Sequence, residues 1–143
     1  FEDELCEHII VMVQKEVAEK FTAKVNDKDY SSLGIITELI SIDSRILFDV
    51  PPESFDPPPK IISSILYIKK DIDKYLDKDF NKFLKACFVQ PRKKLSKNLT
   101  SVLSKDAIFE IYKELNIDDN VRPHEVSSSL YSQMHTRVKD GRN

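Results

Sequence analysis

Glycine is nearly absent from this sequence, which has only Gly34 and Gly141 among its 143 residues. Neither lies in a glycine-rich loop of the kind that lets a backbone approach a nucleotide or surround a phosphate. We therefore expect no loop of this chain to bind a nucleotide in that way. The sequence also begins with Phe1 rather than methionine, and we expect it to be the later part of a longer protein.

Long apolar runs and secretion signals are lacking as well. No run approaches the length of a membrane span, and the first residues, FEDELCEH, have neither the basic region nor the small-residue cleavage site of a signal peptide. The hydrophobic fraction of 41% and the charged fraction of 32% are typical of a soluble globular protein. A cytoplasmic protein that does not associate with a membrane is therefore the expectation.

Residues that bind metals or form disulfides are few and scattered. Cys6 and Cys87 lack the close spacing that metal sites use, and a disulfide between them is not expected in a reducing compartment. Both are predicted to be small, buried hydrophobic residues. His8, His124 and His135 form no ligand spacing, so no metal site is predicted.

Proline, in contrast, is concentrated in one stretch, VPPESFDPPPK at residues 50–60, which contains five prolines. Because proline fixes φ and discourages helix in the preceding residue, this stretch is predicted to be a stiff, extended, non-helical loop. It holds a single aromatic residue, Phe55. Loop chemistry alone leaves two interpretations equally open: a ring held out to stack on a base, or a hydrophobic residue packed on the edge of a sheet.

The first half of the chain has the pattern of an α/β fold. The apolar run HIIVMV, residues 8–13, predicts a strand buried on both faces of a parallel sheet, and helical spacing in QKEVAEKF predicts a helix after it. Residues 33–40 predict one or two more helical turns. Alternation in residues 42–50 and 61–69 then predicts two strands that pair antiparallel, with the proline loop at their tip.

The second half is predicted to be helical. The charged stretch KKDIDKYLDKD is interpreted as a domain boundary, with a linker at 71–79 between a domain at 1–70 and a helical domain at 80–143. Asp106 is placed to cap one helix, and Ser127 to begin the last. Apolar residues recur at helical spacing in four groups: Phe80, Phe83, Leu84, Cys87 and Phe88; Leu95, Leu99, Val102 and Leu103; Ile108, Ile111, Tyr112 and Leu115; and Leu130, Tyr131 and Met134.

Positive charge is concentrated in this helical half, although the net charge of the chain is only −2. Residues 82–105 contain no acidic residue. Such localised charge is typical of a surface that binds phosphate, but a charge run taken alone favours a solvated helix face. The basic residues of this segment are Lys82, Lys85, Arg92, Lys93, Lys94, Lys97 and Lys105.

Four segments in this order, VMVQKEVAEKF, VPPESFDPPPK, FVQPRKKLSKNL and RPHEVS, resemble the ribosomal RNA small-subunit adenine N6-dimethyltransferases of the KsgA type. The resemblance extends over nearly the whole chain. It implies the carboxyl-terminal half of a Rossmann-like methyltransferase sheet followed by a small all-helical domain. It also implies a monomeric enzyme of ribosome biogenesis that uses S-adenosylmethionine to dimethylate two adjacent adenines near the 3′ end of 16S rRNA in the small ribosomal subunit.

The resemblance also implies roles for particular residues. The cofactor motif and the catalytic motif of that family lie upstream of the matching part, so no catalytic and no cofactor-binding residues are expected here, and the chain is predicted to be inactive alone. Phe55 is implied to be one wall of the pocket that holds the flipped target base. Lys60 is placed equally well to meet the flanking RNA backbone or to stay solvated. Four basic residues are implied to bind rRNA phosphate: Arg92, Lys93, Lys94 and Lys97.

Two features of the sequence limit this resemblance. The basic motif of the family usually reads Gln-Arg-Arg-Lys, whereas this chain has Gln90-Pro91-Arg92-Lys93, and Ser96 stands where a further arginine is common. One phosphate contact is then lost, for which Lys94 and Lys97 are plausible substitutes.

The tripeptide Gln14-Lys15-Glu16 matches the family closely but suggests no chemical role, and we interpret it as structural.

Two other functions stay open at this level. One is a non-catalytic RNA-binding or ribosome-assembly module that uses only the basic helical part. The other is the related adenine methyltransferase of large-subunit rRNA that confers macrolide resistance, whose loop also carries an aromatic residue before prolines. A glycine-rich turn and an Asn-Leu-Pro-Tyr motif upstream of Phe1 would favour an enzyme over the module.

Overall fold

The sheet lies in the first half of the chain. The computed structural model describes residues 6–74 and 77–141. Within these residues the strands are β1, His8–Gln14; β2, Ser41–Val50; and β3, Ser63–Lys70. The strand order is β1-β3-β2, and both pairings are antiparallel. β3 is therefore the central strand, and β1 and β2 are the two edges of the described sheet.

The prediction for β1 was correct in position and wrong in surroundings. A strand buried on both faces of a parallel sheet was expected, but β1 runs antiparallel to β3, with His8 opposite Lys69 and Gln14 opposite Ser63. Ile10 is 65% exposed. The apolar run correctly indicated a strand, but it cannot indicate strand direction, which depends on the partner. The run also predicted that both faces of β1 are buried, whereas Ile10, Val11 and Met12 are exposed in the described part of the chain.

The antiparallel pair predicted for β2 and β3 is confirmed. Their register places Val50 opposite Ser63, so residues 51–62, which include most of the proline stretch, connect them. The register shifts twice along β2, at Ile42 and at Leu47, where an extra residue stands in β2 without a partner in β3. Such bulges bend and twist a strand. They explain why more buried and more exposed side chains alternate regularly along β3 but not along β2.

Two helices pack beside the sheet. They are α1, Lys15–Thr22, and α2, Ser32–Ile40, and both confirm the helical spacing seen in the sequence. Gly34 is required where α2 meets the end of α1. A Cβ atom on Gly34 would lie 3.1 Å from Cδ1 of Tyr30, 3.2 Å from the carbonyl oxygen of Ala23 and 3.3 Å from that of Lys20, so a larger residue would require these neighbours to shift by a few tenths of an ångström.

The second half is helical, as predicted. Its helices are α3, Lys78–Cys87; α4, Leu95–Leu99; α5, Lys105–Leu115; and α6, Ser128–Gly141. α4 is shorter than the apolar spacing suggested: it ends at Leu99, and Val102 is exposed in the turn that follows. The helix of five residues is fixed by tertiary packing, because both Leu95 and Leu99 are fully buried.

The helix caps correct one prediction and confirm another. α5 is capped by Ser104, whose Oγ accepts a hydrogen bond of 3.1 Å from the backbone N–H of Ala107, and Asp106 lies inside the first turn instead of capping it. Asp106 still complements the positive end of the helix dipole. At the start of α6, Ser127 Oγ accepts a hydrogen bond of 3.2 Å from the N–H of Leu130, as expected.

The two cysteines differ from each other. Cys87 is buried against the helical core, and burial raises the pKa of its thiol to about 12, so it is an inert hydrophobic residue as predicted. Cys6 is only half-buried, and the prediction of burial was wrong for it. Its thiol donates a hydrogen bond to the carbonyl oxygen of His8. The two thiols are free, not disulfide-bonded.

One hydrophobic core includes residues from α2 and from all four helices of the second half. α2 and α6 are also joined by a hydrogen bond of 2.9 Å from Ser128 Oγ to Glu38 Oε2, and Tyr30 Oη, in the loop before α2, donates to the same oxygen over 3.3 Å. The domain boundary at 71–79 stays a prediction, and Tyr75 and Leu76 within it lie outside the described residues. No helix in the described ranges is long and apolar enough to span a membrane.

Candidate nucleic-acid interface

The proline loop contains one helical turn. Pro52–Ser54 forms a 3-10 turn, in which the N–H of Ser54 donates to the carbonyl of Pro51 over 3.0 Å and that of Phe55 to the carbonyl of Pro52 over 3.1 Å. The predicted non-helical loop was therefore wrong over this turn. Proline is well suited to the first position of a turn, because its fixed φ is helical and its missing N–H would have had no partner there. Beyond the turn, Phe55 is extended, as expected.

Phe55 is the aromatic residue of this loop and is half-buried. It does not belong to the hydrophobic core of the described residues, nor to the partly buried residues that pack on that core. Part of its ring is therefore available to a partner, while the 3-10 turn and the flanking prolines fix its backbone. Whether the ring stacks on a base stays a prediction.

Three side chains join the strands at the root of the proline loop. Lys15 Nζ lies 2.9 Å from Asp49 Oδ2, and Ser64 Oγ donates a hydrogen bond of 2.7 Å to Asp49 Oδ1. Lys15 is the first residue of α1 and directly follows β1, Asp49 belongs to β2, and Ser64 belongs to β3, so the contacts cross the described sheet. The N–H of Lys15 also donates to the carbonyl of Ile62, the last residue of the loop, over 2.9 Å. We call Lys15, Asp49 and Ser64 the root cluster.

The root cluster shifts two pKa values in opposite directions. The hydrogen bond from Ser64, and then that from Lys15, holds the pKa of the Asp49 carboxyl below its ordinary value. The Asp49 carboxylate raises the pKa of the Lys15 ammonium in return. Both groups are therefore charged over the neutral range. Sequence reasoning gave Lys15 no role and missed Asp49 and Ser64, because their meeting depends on the strand register, which no local pattern specifies.

Lys60 lies at the other end of the loop, beside α1. It lines a shallow cleft of about 400 Å³ together with Ile61, Ile62 and three residues of α1, Lys15, Glu16 and Glu19. The two glutamates make this cleft less positive than Lys60 alone suggested. The structure thus places Lys60 next to the root cluster, and both interpretations of Lys60, RNA contact or solvation, stay open.

The predicted basic residues lie together on a single turn and the short helix after it. Arg92, Lys93 and Lys94 occupy the turn between α3 and α4, and Lys97 lies on α4. All four side chains are exposed. None of them forms an ion pair with an acidic residue in the described part of the chain. This surface, the basic turn, therefore has its positive charge free for a partner.

Asn98 holds the backbone of the basic turn. Its side chain is 6% exposed and makes three hydrogen bonds: Oδ1 accepts from the N–H of Gln90 over 2.7 Å, and Nδ2 donates to the carbonyls of Gln90 and Lys94 over 3.0 and 3.1 Å. The turn is fixed at both ends by one amide. Sequence reasoning missed Asn98, because three polar residues, Ser96, Lys97 and Asn98, stand between Leu95 and Leu99 and only the fold shows which of them is buried.

Comparison with known proteins identifies the family. A family model described as "Ribosomal RNA adenine dimethylase" matches residues 2–140. The chain belongs to the ribosomal RNA adenine dimethylase family. Two relatives that bear the name "Ribosomal RNA small subunit methyltransferase A" are a protein of Aliarcobacter butzleri (strain RM4018), 85% identical over the whole chain, and one of Sulfurimonas denitrificans, 45% identical over 97% of it. The chain spans about half the length of these curated relatives, 54% and 52%.

Solved structures show that the fold is that of this family. A dimethyladenosine transferase from Plasmodium falciparum superposes with a TM-score of 0.81 at 21% identity, over 97% of this chain and 60% of that one. The 23S rRNA methyltransferase ErmE superposes with a TM-score of 0.59 at 16% identity, over 93% of this chain and 55% of that one. The predicted fold, part of a methyltransferase sheet followed by helices, is thereby confirmed.

The family implies a methyl-donor cofactor, and neither Gly34 nor Gly141 lies in a loop that could cradle it. Gly34, the glycine nearest the sheet, is used to pack α2 on α1, and a Cβ there would meet protein backbone rather than an open cradle. Gly141 ends α6, and a Cβ there would meet nothing within 4 Å. Family members of about twice this length have the additional chain in which such a site can lie.

Proposed function

We propose that the intact protein dimethylates N6 of two adjacent adenines near the 3′ end of 16S rRNA in the small ribosomal subunit, and that this chain supplies target-base and rRNA binding. The observation that carries the proposal is the family membership together with 85% identity, over the whole chain, to a protein named as a small-subunit rRNA methyltransferase. S-adenosylmethionine supplies the methyl group, and it binds to the part of the protein outside this chain.

Phe55 acts on the target base. An enzyme that modifies a base nitrogen must take the base out of its stack, and the extruded base is held between flat side chains. Phe55 is suited to be one such wall because its ring is partly accessible while its backbone is fixed by the 3-10 turn. The root cluster positions the two strands from which the loop extends. Lys60 shares a cleft with Lys15 of this cluster, and we propose that it contacts the phosphate that flanks the extruded adenine.

The basic turn binds the rRNA backbone. Exposed lysine and arginine side chains release counterions when they contact phosphates, which gives strong binding that does not depend on base sequence. The pairing of Asn98 with Gln90 and Lys94 fixes the backbone from which Arg92 and Lys93 project. Base specificity therefore comes from the pocket at Phe55, and the basic turn sets the orientation of the subunit.

The proposal also includes the setting in which the enzyme works. Its substrate is the bacterial small subunit, so the intact protein acts in the cytoplasm. One monomer carries both the base-binding loop and the basic turn.

The experiment is methyl transfer from labelled S-adenosylmethionine by the intact protein to small and to large ribosomal subunits that lack the modification. We expect label in the small subunit only. Label in the large subunit only would favour the macrolide-resistance activity. Stable binding to small subunits with no label in either would favour a non-catalytic assembly module.

A further inference from the structure

A cleft of about 970 Å³ lies between α4 and α5, on the helical part of the chain. We call it the α4–α5 groove. Its floor includes Tyr112, which is buried, and its rim includes Lys97, Lys105, Phe109 and Lys113. The groove is continuous with the basic turn, because Lys97 belongs to both.

Phe109 is the most unusual side chain of the groove. It lies in the middle of α5, yet its ring is 66% exposed, because the buried face of α5 is formed by Ile108, Ile111 and Tyr112. Lys105 and Lys113 lie four residues before and after Phe109. Residues four apart on a helix are neighbours on one face and are about 6 Å apart along its axis. A flat aromatic face is therefore flanked by one ammonium group on each side.

The charges of the groove favour an anionic ligand. Lys97 on α4 adds a third positive charge on the opposite wall, and Asp119 is the one acidic residue that lines the groove. Burial, and then the nearby Asp119 carboxylate, raises the pKa of the Tyr112 hydroxyl. Lys97, Lys105 and Lys113 are all exposed, so three positive charges and the one negative charge of Asp119 are accessible to a ligand that enters the groove.

We propose that the α4–α5 groove binds an unpaired nucleotide of rRNA, whose base stacks on Phe109 while neighbouring phosphates contact Lys105, Lys113 and Lys97. Stacking on an aromatic face combined with lysines along the backbone is how single-stranded nucleic acid is bound without base specificity. The proposal rests on the proposed function, since it assigns to the substrate rRNA a second contact that is distinct from the pocket at Phe55.

The test uses the intact protein with a Phe55→Ala change, so that the proline loop does not contribute stacking. The probe is a short single-stranded RNA that carries 2-aminopurine, whose fluorescence falls when it stacks. We expect Phe109→Ala and Phe109→Leu to weaken binding about tenfold and to abolish the quenching, and Phe109→Tyr to keep both. Lys105→Ala with Lys113→Ala should weaken binding and lower its salt dependence.

Matched controls are available in the same chain. Ile72 is 62% exposed and does not line the α4–α5 groove, and Lys28 is exposed in the loop between α1 and α2. Ile72→Ala and Lys28→Ala should leave RNA binding unchanged. Equal quenching and affinity in the Phe55→Ala parent and in the same protein with Phe109→Leu added would overturn the proposal, as would a preference for fully paired RNA or for an acidic peptide.

Failure of this proposal and failure of the proposed function give different results. If the wild-type protein methylates small subunits but Phe109→Ala binds the labelled RNA normally, the groove proposal is wrong and the proposed function stands. If the wild-type protein methylates no subunit while Phe109→Ala still loses the labelled RNA, the proposed function is wrong and the groove is an RNA site of another activity.

Discussion

Replacement of Phe55 tests whether the proline loop presents an aromatic face. The variants are Phe55→Ala, Phe55→Leu and Phe55→Tyr in the intact protein. Phe55 is half-buried and lies outside the core of the described residues, so truncation should change the free energy of unfolding little. Stacking of a base on an aromatic side chain contributes about 1 to 3 kcal/mol, so the alanine variant should methylate about tenfold to a hundredfold more slowly.

The leucine and tyrosine variants separate stacking from bulk. Tyrosine keeps the flat face and should retain most activity, whereas leucine keeps volume without that face and should resemble alanine. The assay is the rate of methyl transfer to small subunits, with thermal melting of each variant as the folding control. Phe48 is an exposed phenylalanine of β2, and Phe48→Leu should leave the rate unchanged. Equal rates for Phe55→Leu and Phe55→Tyr would refute the stacking role, as would a loss for Phe55→Ala that only parallels a loss of folded protein.

Three further predictions concern the surroundings of the loop and the basic turn. Replacement of Arg92 and Lys93 by glutamate should weaken binding to small subunits and lower the slope of log affinity against log salt by about one to two, because fewer counterions are released. Asn98→Ala should destabilise the fold by about 1 to 3 kcal/mol, since it removes the three hydrogen bonds of a buried amide and takes the side-chain acceptor from the N–H of Gln90. Asp49→Asn should lower the melting temperature at neutral pH, and this difference from the wild type should shrink in acid.

The acid dependence at Asp49 follows from the direction of its pKa shift. A carboxyl whose folded pKa lies below its unfolded value stabilises the fold above the unfolded value, about 4, and loses that contribution as pH falls through the folded pKa. Lys15 has a raised folded pKa, so its contribution is complete below its ordinary pKa of 10.5 and is lost above it. The difference in melting temperature should thus be constant from about pH 5 to 9. A difference that grows in acid would contradict this account.

Each of the other two predictions has a control and a contradictory outcome. Charge reversal of Lys24 and Lys28, which are exposed in the loop after α1, should leave the salt slope unchanged. The same affinity and slope in the Arg92 and Lys93 variant would show that the basic turn is only a solvated face. Asn120 is exposed, and Asn120→Ala should leave stability unchanged. A normal melting temperature for Asn98→Ala would show that water replaces its hydrogen bonds.

Periodicity predicted those parts of the fold that depend on local sequence. The spacing of Val17, Ala18 and Phe21 predicted α1, because one face of a helix recurs about every 3.6 residues. Alternation predicted the hairpin of β2 and β3, because one face of a strand recurs every two residues. Periodicity could not give the direction of β1, which depends on its partner. It also placed the cap of α5 at Asp106 instead of Ser104, since both residue types cap helices and only the backbone decides between them.

The charged residues of the candidate site could be predicted from the sequence, but the contacts that hold them in place could not. Arg92, Lys93, Lys94 and Lys97 lie within six consecutive residues, so their shared surface follows from one turn and one short helix. One of these contacts, the ion pair of Lys15 with Asp49, joins residues that are far apart in the chain. Another depends on the burial of a single side-chain amide, that of Asn98. These contacts require the strand register and the packing of α4, which the sequence pattern does not contain.

The central claim is that this chain binds the target base and the rRNA, while the methyl donor binds elsewhere in the intact protein. The most direct measurement is mass spectrometry of 16S rRNA from unmodified small subunits after incubation with S-adenosylmethionine and either the intact protein or the 143-residue chain alone. We predict N6-dimethyladenine at two adjacent positions near the 3′ end with the intact protein, and unmodified rRNA with the chain alone. Dimethyladenine produced by the chain alone, or none produced by the intact protein, would contradict the account.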